Sequence, residues 1–193
     1  MHRRKDPYYT RAKAEGYRSR AAYKLLDLQR RYHVLHRGDY VVDLGAAPGA
    51  WLQVARNLVG PTGKVVGVDI VPVTPLPEHN VTCVLADALD PKARAAVLAV
   101  LGRRPTVVLS DMAPKLSGIR PRDRAHCTTL ERAALDFAIE TLACGGRFLA
   151  KVLADTEVGA AARKHFETAK FTRPLATRKG STESYLVASG LRR

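Results

Sequence analysis

The sequence predicts an α/β domain, a largely parallel sheet with helices on both faces. Two observations predict it. From Gly38 onward, short Val- and Leu-rich runs alternate with longer helical patterns at the spacing of repeated strand–helix units. The first of these runs leads straight into Gly45-Ala46-Ala47-Pro48-Gly49 and then a helix, and open parallel sheets bind ligands at such strand ends. A chain of 193 residues, 46% hydrophobic, is long and apolar enough to bury the core of one such domain.

The elements follow in order. A helical pattern covers 19–32, with Ala22, Leu25, Leu26 and Leu28 on its apolar face and Ser19 as its expected N-cap. Tyr40-Val41-Val42-Asp43-Leu44 is a buried strand, and 51–58 a helix closed near Gly60-Pro61. A strand at 64–69 is followed by a loop holding Pro72, Pro75 and Pro77, then a strand at 81–85. Residues 91–101 form a helix with proline in its first turn. A strand at 106–110, a helix at 130–142 ending at Gly145-Gly146 and a strand at 147–153 come next. The last third reads as a helix at 158–169 and strands at 171–174 and 184–188. The core is expected to span 38–193, with 1–37 a basic helical extension packed on it.

Composition narrows the function. Lys and Arg number 32 against 18 Asp and Glu, a net charge of +14. A folded domain this basic points to a polyanionic partner, because cations that neutralise phosphates release counterions. No apolar run approaches a membrane-spanning length, and Met1-His2-Arg3-Arg4-Lys5-Asp6 is charged with no apolar stretch behind it. Cys83, Cys127 and Cys144 lie far apart, too scattered for a zinc site or a disulfide framework. The expectation from composition is a cytoplasmic protein with a polyanionic partner, no metal and no membrane.

The loop from Gly45 to Gly49 is the sharpest local signal. Its glycines stand four apart and Pro48 intrudes, unlike the G-x-G-x-x-G pattern that leaves a helix N-terminus free for a pyrophosphate. That spacing suits a ligand without phosphate, and S-adenosyl-L-methionine is one. Asp69 ends the next strand, where an acid can accept hydrogen bonds from ribose hydroxyls, and Asp87 follows the third strand, placed for the adenine edge. A nicotinamide-dependent oxidoreductase is the competing reading of the same fold, disfavoured by Pro48 and the absent third glycine.

The run from Asp43 to Trp51, the segment Ser110-Asp111-Met112-Ala113-Pro114 and the stretch Tyr17-Arg18-Ser19-Arg20-Ala21-Ala22-Tyr23-Lys24-Leu25 occur in this order. Together they resemble the FtsJ family of RNA 2′-O-ribose methyltransferases, over nearly the whole chain. The resemblance implies a Rossmann-like class I S-adenosylmethionine-dependent fold with a mostly parallel seven-stranded sheet. Donor contacts are then expected at Gly45, Pro48, Gly49, Trp51, Asp69, Asp87 and Asp111.

Methyl transfer to a ribose hydroxyl is an in-line displacement that must orient a very weak acid and take its proton. Lys151 lies within the apolar strand Phe148-Leu149-Ala150-Lys151-Val152-Leu153, where a charge needs a reason to be buried. The resemblance implies the family's Lys-Asp-Lys-Glu tetrad, carried here by Lys24, Asp111, Lys151 and Glu183, with Lys151 as base. Two positions depart from the family: Val152-Leu153-Ala154-Asp155 replaces an aromatic and polar stretch, and Ala86 replaces a glycine.

Three basic clusters flank these residues. The first is the N-terminal segment, with Arg3, Arg4, Lys5, Arg11, Lys13, Arg18 and Arg20 interleaved with Tyr8, Tyr9 and Tyr17. The second is Lys115, Arg120, Arg122 and Arg124, expected in a loop, and the third is Arg173, Arg178 and Lys179. The resemblance favours a uridine of large-subunit ribosomal RNA in an assembled particle. Transfer RNA, or a non-catalytic RNA-binding role in ribosome assembly, remains open from the sequence.

Overall fold

The computed structural model describes residues 7–115, 117–153, 157–177 and 183–193. Seven strands form one sheet: β1 (Tyr40–Leu44), β2 (Lys64–Asp69), β3 (Val81–Leu85), β4 (Val107–Ser110), β5 (Arg147–Leu153), β6 (Phe166–Thr172) and β7 (Glu183–Leu191), in the order β3-β2-β1-β4-β5-β7-β6. The ladders from β3 to β5 are parallel, and β7 runs antiparallel to both of its neighbours. The order reverses between β1 and β4, so a crevice opens at the carboxyl ends of those strands. The sheet is the α/β, mostly parallel, seven-stranded Rossmann-like arrangement expected.

Six helices accompany it among the described residues: α1 (Pro7–Ala14), α2 (Ala22–Tyr32), α3 (Ala50–Val59), α4 (Pro91–Leu101), α5 (Arg120–Thr141) and α6 (Glu157–His165). Strands buried on both faces need two cores. Leu25 and Leu28 of α2 and Trp51, Leu52 and Val54 of α3 close one face over Val41, Val65 and Leu109. Leu135, Phe137 and Ala138 of α5, with Val97 of α4 and Ala162 of α6, close the other over Val42, Val108 and Phe148. No helix among the described residues is long and apolar enough to cross a membrane.

The structure corrects the sequence reading in three places. Helix α5 starts at Arg120, ten residues before the expected 130, so Arg120, Arg122 and Arg124 stand on its first turns and not in a loop. Its start is held by Asp123, which accepts from the N–H and hydroxyl of Ser117 and the N–H of Gly118. The helix expected at 158–169 stops at His165, and Phe166–Thr172 is a strand with Phe166 opposite Leu191 and Thr172 opposite Tyr185. Helix α2 begins at Ala22, capped by Ala21 with no side-chain bond, while the Ser19 hydroxyl accepts from the Ala21 N–H at 3.2 Å in the turn before it. Helix α1 adds a helix ahead of the 19–32 pattern, packed through Ala12. Arg3, Arg4, Lys5, Ala154, Asp155, Arg178 and Lys179 lie outside the described residues.

Candidate active site

A cleft of about 720 Å³ lies at the carboxyl ends of β1, β2 and β4, lined in part by Gly45, Asp69, Asp87, Asp111 and Met112. Both acids expected after β2 and β3 line it, and each also fixes a turn. Asp69 accepts from the Ala47 N–H at 2.8 Å and the Val71 N–H at 2.9 Å, and Asp87 accepts from the Leu89 N–H at 2.9 Å. Each carboxylate oxygen retains acceptor capacity for a ligand hydroxyl or amine. Ile70, 69% exposed, and Val71 border the same cleft with apolar surface that a ligand ring can cover.

Asp43, near the end of β1, is fully buried and neither of its carboxyl oxygens has a hydrogen-bond partner. Burial, then Asp111, then Asp69, push its carboxyl well above the ordinary aspartate range. Asp69, Asp87 and Asp111 nevertheless set three carboxylates around the cleft of a strongly basic chain. That fits a ligand that is cationic and carries no phosphate, as S-adenosylmethionine with its sulfonium and amine does. Among the described residues no group of His, Cys, Asp and Glu side chains could hold a metal ion.

The loop glycines also have a packing role. Gly45 has φ 77°, and a Cβ there would stand 2.8 Å from Cγ of Met112, so the close approach is to the segment after β4. Gly49 has φ 107°, and a Cβ there would stand 2.6 Å from Nη1 of Arg18. Arg18 holds the loop down: its guanidinium donates to the carbonyls of Pro48, Thr74 and Pro75, and its backbone N–H to Oε1 of Gln53. Pro48, Gly49 and Trp51 do not line the cleft. The Trp51 indole is buried in the core beneath α2 and donates to the Ala21 carbonyl at 2.8 Å.

The structure brings Lys24, Asp111, Lys151 and Glu183 together from four elements 159 residues apart in sequence at the extremes. Helix α2 supplies Lys24, the end of β4 leads into Asp111, β5 carries Lys151 and β7 opens with Glu183. Lys24 donates to Oε1 of Glu183 at 2.6 Å and stands 3.9 Å from Oδ2 of Asp111. Lys151 donates to the backbone carbonyl of Asp111 at 2.9 Å and lies 3.3 Å from its Oδ1. All four side chains are less than one-fifth exposed.

Sequence reasoning missed the residue at the centre of this cluster. Tyr185, opposite Lys151 in the β5–β7 ladder, donates to Oδ1 of Asp111 at 2.7 Å and is 3.2 Å from Oε1 of Glu183. Burial, together with those two carboxylates, raises its phenol well above the usual tyrosine range, so it stays a proton donor. The signal available was the spacing: residues two apart on a strand share a face, so Glu183 and Tyr185 point the same way.

Much of the N-terminal charge is engaged internally. Besides Arg18 and Lys24, Arg20 donates to the Ala176 carbonyl, Arg31 to Thr172 and the Arg173 carbonyl, and Arg11 pairs with Glu15.

A family model for the FtsJ-like methyltransferases matches residues 17–191. The ribosomal RNA large subunit methyltransferase E of Sphingopyxis alaskensis is 43% identical over 190 residues, covering 97% of this chain and 81% of that protein. The protein of the same name from Methanothermobacter thermautotrophicus is 43% identical over 188 residues, covering 96% and 89%. Among solved structures, a ribosomal RNA methyltransferase of Plasmodium falciparum superposes with a TM-score of 0.78 at 24% identity, covering 91% of this chain and 98% of that one. The fold is that of an α/β methyltransferase. The chain belongs to the FtsJ-like methyltransferase family, and it is an RNA methyltransferase with S-adenosyl-L-methionine as its cofactor.

Proposed function

We propose that this enzyme methylates the 2′-hydroxyl of a ribose in large-subunit ribosomal RNA, most specifically a uridine within the assembled particle, acting as a monomer in the cytoplasm. The observation that carries the reading is the junction of Lys24, Asp111, Lys151 and Glu183 at the edge of the donor cleft. S-adenosylmethionine, held by Gly45, Asp69, Asp87 and Asp111, supplies an electrophilic methyl group on a sulfonium.

Lys151 takes the proton from the ribose hydroxyl at Nζ. Only the neutral amine can do so, and a neutral amine has two N–H bonds and one lone pair. One N–H is directed at the Asp111 carbonyl and the other is within reach of its Oδ1. The lone pair is thereby left for the hydroxyl. Lys24 and Glu183 pair at 2.6 Å and hold the far side of the cluster. Basic residues of the 1–37 segment that are not bonded internally, with Lys115, Arg120, Arg122 and Arg124, meet RNA phosphates.

The test uses labelled S-adenosylmethionine and large ribosomal subunits from cells lacking the gene. The wild-type protein is expected to yield a 2′-O-methyl nucleotide, and Lys151→Ala to lose at least about 100-fold in rate while binding the donor normally. Base methylation in place of ribose methylation, or an active Lys151→Ala protein, overturns the proposal.

A further inference from the structure

The donor cleft has a neighbour at the carboxyl edge of the sheet. A second cavity, about 180 Å³, lies between the end of β5 and α5 and is bounded by both Lys151 and Glu183. It shares Met112 and Pro114 with the donor cleft, so one short segment forms a wall of each. Whatever occupies this cavity sits against the residue proposed to take the proton. Its volume is a quarter of the donor cleft's, and Val152 and Leu153 give it further apolar surface.

Its distinctive polar group is Glu131 on α5, in a residue only 5% exposed. Oε1 accepts from the Leu153 N–H at 2.7 Å, while Oε2 is buried with no hydrogen-bond partner. A buried acceptor left unmade costs about 1–3 kcal/mol. An occupant carrying an N–H would relieve that cost. Apolar walls, a small volume and one fixed acceptor describe a site for a flat heterocycle recognised at its edge.

We propose that this cavity receives the base of the nucleotide being methylated, that the base is a single-ring pyrimidine, and that Glu131 reads an N–H on its edge. The proposal rests on the RNA 2′-hydroxyl reading above and adds to it a subsite and a specificity-determining residue. Extruding the base into this pocket sets its ribose beside Lys151, and the apolar walls cover the ring faces.

The experiment measures kcat/KM on undermethylated large subunits carrying each of the four bases at the target position. Wild-type protein is expected to favour uridine and cytidine over adenosine and guanosine by more than about tenfold. Glu131→Gln keeps an oxygen for the Leu153 N–H but presents an N–H donor where Oε2 accepted. It is expected to lower uridine methylation about 10- to 100-fold, the range of one base-edge contact, and to change the uridine-to-cytidine ratio at least about fivefold. Donor affinity should stay within about twofold. Cys127→Leu, which fills the same cavity from one helical turn away, should lower methylation of pyrimidine targets and leave donor affinity unchanged. Purine targets methylated as well as pyrimidines, an unchanged uridine-to-cytidine ratio in Glu131→Gln, or full activity in Cys127→Leu each overturn the subsite and leave the RNA reading standing. A wild-type protein that forms no 2′-O-methyl product with any base overturns the RNA reading itself.

Discussion

Tyr185→Phe removes one hydroxyl from the cluster of Lys24, Asp111, Lys151 and Glu183. The ring stays, with its packing against Trp51 at 6.0 Å between centroids and its position under Lys24. What goes is the donor bonded to Asp111 at 2.7 Å and lying 3.2 Å from Glu183. Asp111 keeps Lys151 at 3.3 Å and Glu183 keeps Lys24 at 2.6 Å, so neither acid is stranded. The loss is then that of one hydrogen bond to a charged group, about 2 kcal/mol. If the hydroxyl holds Asp111, and through it Lys151, where the acceptor reacts, that figure is a drop in kcat of about 30-fold. The same figure predicts a fall in melting temperature of about 4–8 °C. The assay is single-turnover methyl transfer with saturating donor, paired with calorimetric donor binding and a thermal melt. A fall in melting temperature with kcat within about twofold of wild type would refute the reasoning, leaving Tyr185 a core residue only. Donor affinity falling as far as kcat would refute it differently, by assigning the hydroxyl to the donor cleft.

Two further predictions concern the loop and the acids beneath it. Arg18→Ala removes three guanidinium bonds that tie the Gly45–Gly49 loop to the loop after β2; donor Kd measured by calorimetry should rise about tenfold, worth about 1.4 kcal/mol, with Arg18→Lys recovering only part of it. Asp43 has its folded-state carboxyl raised by burial, so the folded protein binds a proton more tightly there than the unfolded chain does. Its contribution to stability is therefore lost as pH rises above the ordinary aspartate value of about 3.9 towards the raised one. Asp43→Asn should flatten that decline in urea denaturation followed from acid to neutral pH, and parallel curves for the two proteins would contradict the assignment.

The parts of the fold legible in the sequence were those where burial and period coincide. The strands β1, β2, β3 and β5 and helix α4 fall where their apolar runs and their proline and glycine punctuation set them. The first ten residues of α5, Arg-Pro-Arg-Asp-Arg-Ala-His-Cys-Thr-Thr, have no apolar stripe to read, and the helix is instead started by Asp123 reaching back to Ser117 and Gly118. Residues 166–169 read as the end of a helix for the opposite reason, because Phe166 meets the core in either conformation and only pairing with β7 selects the strand. Within the site, Lys151 announced itself as a charge in an apolar strand. Tyr185 did not, since a tyrosine in such a strand looks like packing, and Glu131 was lost among the many polar residues of a long helix. The direction of the Trp51 indole, buried beneath α2, was not legible either, because the motif that carries it says nothing about which way the ring turns. Arg18 reads as one more phosphate-binding charge in the sequence, whereas three of its five guanidinium N–H groups go to backbone carbonyls.

The placement of β7 between β5 and β6 bears on how the enzyme is made. Glu183 and Tyr185 reach Lys151 only through this antiparallel insertion, and Lys24 must wait for Glu183 across 159 residues of chain. Tyr185 of β7 belongs to one core and Leu186, Ala188 and Leu191 to the other, so the last strand to be synthesised closes both faces of the sheet as well as the charged cluster. Domains fold as units, and a truncation that removes β7 is therefore expected to lose the fold together with the cluster.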